Sequence, residues 1–108
     1  MICMVQNVTS GELQKIVFSD NSPAMVLFTG SWCVDCTAFR PIWERWAMDK
    51  TGPVFVLEIK RGDVAWQEWD LPEIPTVAGY RNGKLIGKAS DRISPDDLDR
   101  LWRLIASD

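Results

Sequence analysis

Apolar positions along this chain recur now at a spacing of two, now at three to four, and each change of period marks a change of element. Residues 2–5 read as a short first strand. Thr9 and Glu12 then have capping-box spacing, and Leu13, Ile16 and Val17 form one apolar stripe, which predicts a helix. Residues 24–29 are apolar through their middle, as a central strand covered on both faces should be. A second helix opens near Cys33 and carries Phe39, Ile42, Trp43, Trp46 and Ala47 on its buried face. Pro41 lies inside it and is expected to kink it, and Gly52 with Pro53 closes it.

Residues 54–59 form the next predicted strand, and residues 63–69 a short helix capped by Asp63, with Trp66 and Trp69 on one face. Pro72 and Pro75 bracket an extended segment. Residues 76–80 and 85–89 flank Asn82-Gly83, whose tolerance of positive φ predicts a hairpin of two antiparallel strands. Ser94-Pro95-Asp96-Asp97 is a helix start with a cap, a first-position proline and acids in the first turn. Leu98, Leu101, Trp102 and Ile105 give that helix its buried stripe. The order β-α-β-α-β-α-β-β-α predicts α/β architecture, and no repeat or linker divides it.

Composition changes this picture little. The chain of 108 residues has room for one hydrophobic core, so a single domain over 1–108 is expected. A formal charge of −3 supplies no electrostatic reason to bind nucleic acid or an anionic membrane. The start, Met1-Ile2-Cys3-Met4-Val5-Gln6, has neither a basic leader nor a long apolar run, and a soluble cytoplasmic location is expected if this is the whole gene product. Three cysteines do not make a secreted disulfide framework. Cys3 reads most simply as a small buried hydrophobe in the first strand.

The other two thiols carry the chemistry. Trp32-Cys33-Val34-Asp35-Cys36 places them one helical turn apart at a strand-to-helix junction, where a disulfide can close and reopen. The unpaired N–H groups of a helix beginning near Cys33 favour a thiolate there, so Cys33 is the expected nucleophile. Cys36 follows on the same helical face but more enclosed, and is the expected resolving thiol. Trp43, Trp46 and Trp102 occupy core stripes, Trp66 and Trp69 are mainly packing candidates, and Lys60-Arg61 reads as a solvated loop charge pair.

This order of elements around a Trp-Cys-x-x-Cys resembles the thioredoxin family. Further landmarks agree: Pro41 five residues after Cys36, Ile74-Pro75-Thr76, the Asn82-Gly83 turn, and Trp69 and Leu71 ahead of Pro75. The resemblance implies a thioredoxin fold, a central mixed β-sheet flanked by helices on both faces. It implies a thiol–disulfide oxidoreductase that reduces protein disulfides through a Cys33–Cys36 dithiol/disulfide, as a monomer and without a cofactor. The partners implied are a disulfide-containing protein substrate and an upstream dithiol or thioredoxin-reductase-type donor. Pro75 would be cis, and Trp32, Ile74 and Pro75 would meet the substrate, with Ile74 pairing its backbone to an extended segment.

There are departures from the family pattern. Leu27 stands where the family usually buries an Asp beneath the resolving cysteine. Val34-Asp35 replaces the usual Gly-Pro, Thr29 replaces an aromatic, and Asp91 replaces a glycine before the last helix. Asp35 is therefore a candidate for the catalytic proton transfer at Cys36, or else a solvated acid that stabilises the helix N-terminus. The competing function is a thioredoxin-fold binding module with little or no redox turnover. Metal binding is a weak third reading, since a structural zinc usually needs four ligands and the chain has no histidine.

Overall fold

A computed structural model of the chain describes residues 5–50 and 52–106. Its strands are β1 (Gln6–Asn7), β2 (Ala24–Thr29), β3 (Val54–Glu58), β4 (Thr76–Arg81) and β5 (Lys84–Ser90). Its helices are α1 (Ser10–Gln14), α2 (Val34–Ala47), α3 (Ala65–Glu68) and α4 (Pro95–Ala106). α1 runs on into a wider π-helical stretch, Lys15–Ser19, which the sequence pattern does not distinguish. The strands make one sheet in the order β1-β3-β2-β4-β5. β1, β3 and β2 are parallel, and β4 and β5 join antiparallel.

The sheet is two-faced. Along β2, Ala24, Val26 and Phe28 enter one apolar cluster, which α1 completes with Leu13, its π-helical continuation with Val17, and the α3 region with Ala65 and Trp69. Met25 and Leu27 enter the other, built from Phe39, Trp43 and Trp46 of α2 and Leu98, Leu101 and Ile105 of α4. Side chains alternate across a strand, so a strand apolar at every position must be covered twice. That is why helices flank both faces.

Local chemistry sets several boundaries. Thr9 Oγ1 accepts the Glu12 N–H at 3.1 Å, and Glu12 Oε1 accepts the Thr9 N–H at 2.8 Å, closing the capping box ahead of α1. Ser94 and Asp97 make the same reciprocal pair before α4, with the Ser94 N–H donating to Asp97 Oδ2 at 2.9 Å. Each such cap stabilises its helix by about 1 kcal/mol. Asn82 and Gly83 have φ of 55° and 75°, the left-handed pair that a two-residue hairpin turn requires.

Two expectations need correction. Of the strand expected at residues 2–5, only Val5 lies among the described residues, and it is not part of a strand. Ile2, Cys3 and Met4 fall outside the described residues, Val5 packs against the core without strand pairing, and β1 is Gln6–Asn7, in register with Phe55 and Val56. Both its residues are exposed, so this edge strand is held by backbone pairing and leaves no hydrophobic signal. Ile42 does not join the buried stripe of α2; it is 43% exposed and lines an open groove with Ile74 and Pro75. Trp43 and Trp46 are buried as expected, while Trp102 is half-buried and lies edge-on to Trp46 at 5.7 Å.

Candidate active site

The central strand β2 ends at Thr29, and α2 begins at Val34 after four intervening residues. Cys33 is the N-cap residue of α2, and its Sγ accepts the Cys36 N–H at 3.2 Å. An otherwise orphaned helix-terminal donor thus points at this sulfur, an arrangement that stabilises negative charge. Both thiols are free, with Cys33 partly exposed and Cys36 only 1% exposed. The Cys36 thiol is pushed up to about 11, chiefly by burial and then by the hydrogen bond with Cys33, while the Thr29 hydroxyl and Gly30 backbone pull the other way.

Cys33 also faces the neighbouring loop, where its thiol donates to the Ile74 carbonyl at 3.8 Å. The Ile74–Pro75 peptide bond is cis. Thr76 holds the segment behind it: its hydroxyl donates to the Glu73 carbonyl and shares a contact with Ser90 Oγ, each at 2.6 Å. Trp32, 38% exposed, is anchored by its Nε1 donating to the Ile59 carbonyl at 3.0 Å. Its ring lies 6.4 Å from that of Trp66 and beneath the Arg61 guanidinium, 4.7 Å from the ring centroid. Arg61 is therefore more than a solvated loop charge; it sits on the aromatic ledge next to Cys33.

Gly30 makes this packing possible. A Cβ there would stand 2.9 Å from Trp32 Nε1 and 3.0 Å from both the Ile59 carbonyl and Ile74 Cδ1. Such a close approach has no hydrophobic signature in the chain.

The remaining predicted residue, Asp35, is exposed and lines a groove of about 420 Å³ with Ile42, Ile74, Pro75, Asp91 and Arg92. Asp91 and Arg92 have φ of 56° and 55°, a left-handed pair that explains why a glycine suits this loop. Leu27 is fully buried in the apolar cluster on the α2 face. On that same face, Glu58 lines a second concavity together with Cys36. Sequence reasoning passed over Glu58, although it is the lone charge ending the run Val54-Phe55-Val56-Leu57 and two places beyond Val56, Leu27's partner. Among the described residues no cluster of three or more His, Cys, Asp or Glu is arranged to hold a metal ion.

This arrangement recurs in known proteins. The family model for Thioredoxin matches residues 4–105. The chain belongs to the thioredoxin family. A thioredoxin of Mycoplasmoides gallisepticum is 31% identical over 93 residues, covering 85% of this chain and 92% of the relative. A thioredoxin of Rickettsia felis is 30% identical over 83 residues, covering 75% and 79% respectively. Among solved structures, thioredoxin from Trypanosoma brucei brucei superposes with a TM-score of 0.79 at 22% identity, covering 100% of this chain and 96% of that one. The short form of spinach chloroplast thioredoxin f gives a TM-score of 0.79 at 17% identity, covering 95% of each chain. Those two likenesses concern the fold. Membership in the thioredoxin family makes thiol–disulfide oxidoreduction the general class of this chain's chemistry.

Proposed function

We propose that this protein reduces disulfide bonds in other proteins through reversible oxidation of Cys33 and Cys36. Cys33 thiolate attacks a substrate disulfide, one substrate sulfur leaves, and a mixed disulfide forms at Cys33. Cys36 then attacks Cys33 Sγ, the second substrate sulfur leaves, and the Cys33–Cys36 disulfide remains. An upstream dithiol or thioredoxin-reductase-type donor returns it to the dithiol. Trp32, Ile74 and Pro75 form the docking surface, and Asp35 stands on its groove side. A reducing, cytoplasmic setting suits a centre that must be returned to the thiol state.

The asymmetry of the two thiols carries this reading. Cys33 is partly exposed at a helix N-terminus with a backbone donor on its sulfur, whereas Cys36 is 1% exposed directly behind it. Only the first is open to a macromolecular disulfide, and only the second is shielded until a mixed disulfide forms.

Insulin reduction driven by dithiothreitol tests the assignment. The unaltered protein is expected to accelerate precipitation well above the dithiothreitol background. Cys33→Ser should fall to that background, and Cys36→Ser should accumulate a substrate adduct visible by intact mass. Full activity in Cys33→Ser overturns the proposal, and an unaltered protein no faster than dithiothreitol favours a binding module instead.

A further inference from the structure

β2 and β3 run side by side with Leu27 opposite Val56 and Thr29 opposite Glu58. Because side chains alternate along a strand, Thr29 and Glu58 share the sheet face of Leu27 and Val56, the face that α2 covers. Thr29 borders the same cavity as Cys36, and its hydroxyl draws the thiol down against the effect of burial. A cavity of about 270 Å³ opens at this point, bordered by Thr29, Ser31, Cys36, Thr37, Arg40 and Glu58 among others. Among the described residues that line it, Glu58 supplies the one carboxylate, and Asp35 lines the groove instead.

We propose that Glu58 accepts the proton of Cys36, through water in the cavity they share, as Cys36 resolves the mixed disulfide. The site suits such a relay. Its volume exceeds the ~30 Å³ share of one water several-fold, and the hydroxyls of Thr29, Ser31 and Thr37 offer the polar partners that a bridging water needs. Glu58 is exposed at the end of β3, so its carboxylate stays hydrated while its neighbour Cys36 is enclosed. Leu27 offers no acid from the floor of the site.

The step balances without an outside oxidant. Cys36 gives its proton through water to the Glu58 carboxylate, and its electron pair forms the Cys36–Cys33 bond. The bond between Cys33 and the substrate sulfur breaks, and that sulfur leaves with the electron pair and takes up a proton. Assistance is needed because a thiol pushed up to about 11 is ionised at pH 7 only to about one part in ten thousand. The other charges around Glu58 are Arg40, paired with Glu44 at 3.3 Å, and Asp63, which borders the next concavity. Lys60 follows on the same loop, and Cys33 and Asp35 complete the first turn of α2.

This inference rests on the roles proposed for Cys33 and Cys36, and the test separates the two. Reduced protein is mixed with glutathione disulfide and acid-quenched, and decay of the Cys33–glutathione adduct is followed by intact mass from about pH 6 to about pH 10. Glu58→Gln should lengthen the adduct's lifetime about tenfold near pH 7 and shift the rate profile to higher pH, with Glu58→Asp recovering part of the rate. Matching circular dichroism and melting curves show that the variants fold. An unchanged lifetime and pH profile in Glu58→Gln overturn this inference alone. So does a loss that appears in Asp35→Asn and not in Glu58→Gln. Absence of any Cys33–glutathione adduct in Cys36→Ser overturns both readings together.

Discussion

The two concavities beside the first turn of α2 differ in what they are built to meet. On one side, the groove of about 420 Å³ presents the Ile74–Pro75 backbone, the exposed Ile42, and the charges of Asp35, Asp91 and Arg92. In the proposed function it meets the substrate's peptide chain, with backbone to pair and an apolar side chain to cover. On the other side, the cavity of about 270 Å³ is edged by hydroxyls, Arg40 and Glu58, next to Cys36. It suits water and a proton. Two thiols three residues apart in the chain thereby acquire different neighbours: Cys33 faces the Ile74 carbonyl, and Cys36 faces Thr29. The helix makes this division, because residues at its N-cap and its third position sit at different depths in the packing.

Leu27→Asp puts the largest strain on this contrast. It places a carboxylate in the apolar cluster of Phe39, Trp43 and Val77, and the expected loss is about 3 kcal/mol of stability in urea denaturation. A loss below about 0.5 kcal/mol would mean that the floor of the site is wetter than its packing indicates, and that proton handling need not go through the Glu58 cavity.

A smaller effect is expected from Ile42→Ser, which acts on the groove alone. It should raise KM for a protein disulfide about threefold, close to 0.6 kcal/mol, with no change toward a small disulfide. An equal change with both substrates would show that the groove and the thiols do not act separately.

A separate effect lies in the pH dependence of stability. The folded state raises the Cys36 thiol from its ordinary 9.0 to about 11, and burial also raises the Tyr80 hydroxyl. In that range the folded chain holds protons that the unfolded chain releases, so their contribution is present below about pH 9 and is lost as pH rises through the folded values. Stability should decline over about pH 9 to 11, and less steeply in Cys36→Ala. An identical slope in that variant would place Cys36 in a more solvated position than its packing shows.

Much of the fold was legible from the pattern of the chain, for reasons that individual residues make plain. Thr9 with Glu12 and Ser94 with Asp97 close their caps through contacts three residues apart, and Asn82-Gly83 turns through its own backbone preferences. β2 announced itself because burial on both faces demands apolar side chains at successive positions. β1 escaped because Gln6 and Asn7 are exposed and pair only through backbone. In the site, Trp32, Cys33, Cys36, Ile74 and Pro75 stand out by type and spacing. Gly30 and Arg61 do not, since what they do depends on a ring and a carbonyl brought in from elsewhere.

By itself, the sequence determined the elements other than β1 and the π-helical stretch, their order and the thioredoxin-type pair of thiols, because these follow from interactions within a few residues and from the period of the apolar positions. The depth of each thiol, the exposure of Ile42 and the placing of Glu58 beside Cys36 were decided only by tertiary structure. Glu58 is 22 residues from Cys36 in the chain, and it is the register of β3 against β2, under the cover of α2, that puts them at one cavity.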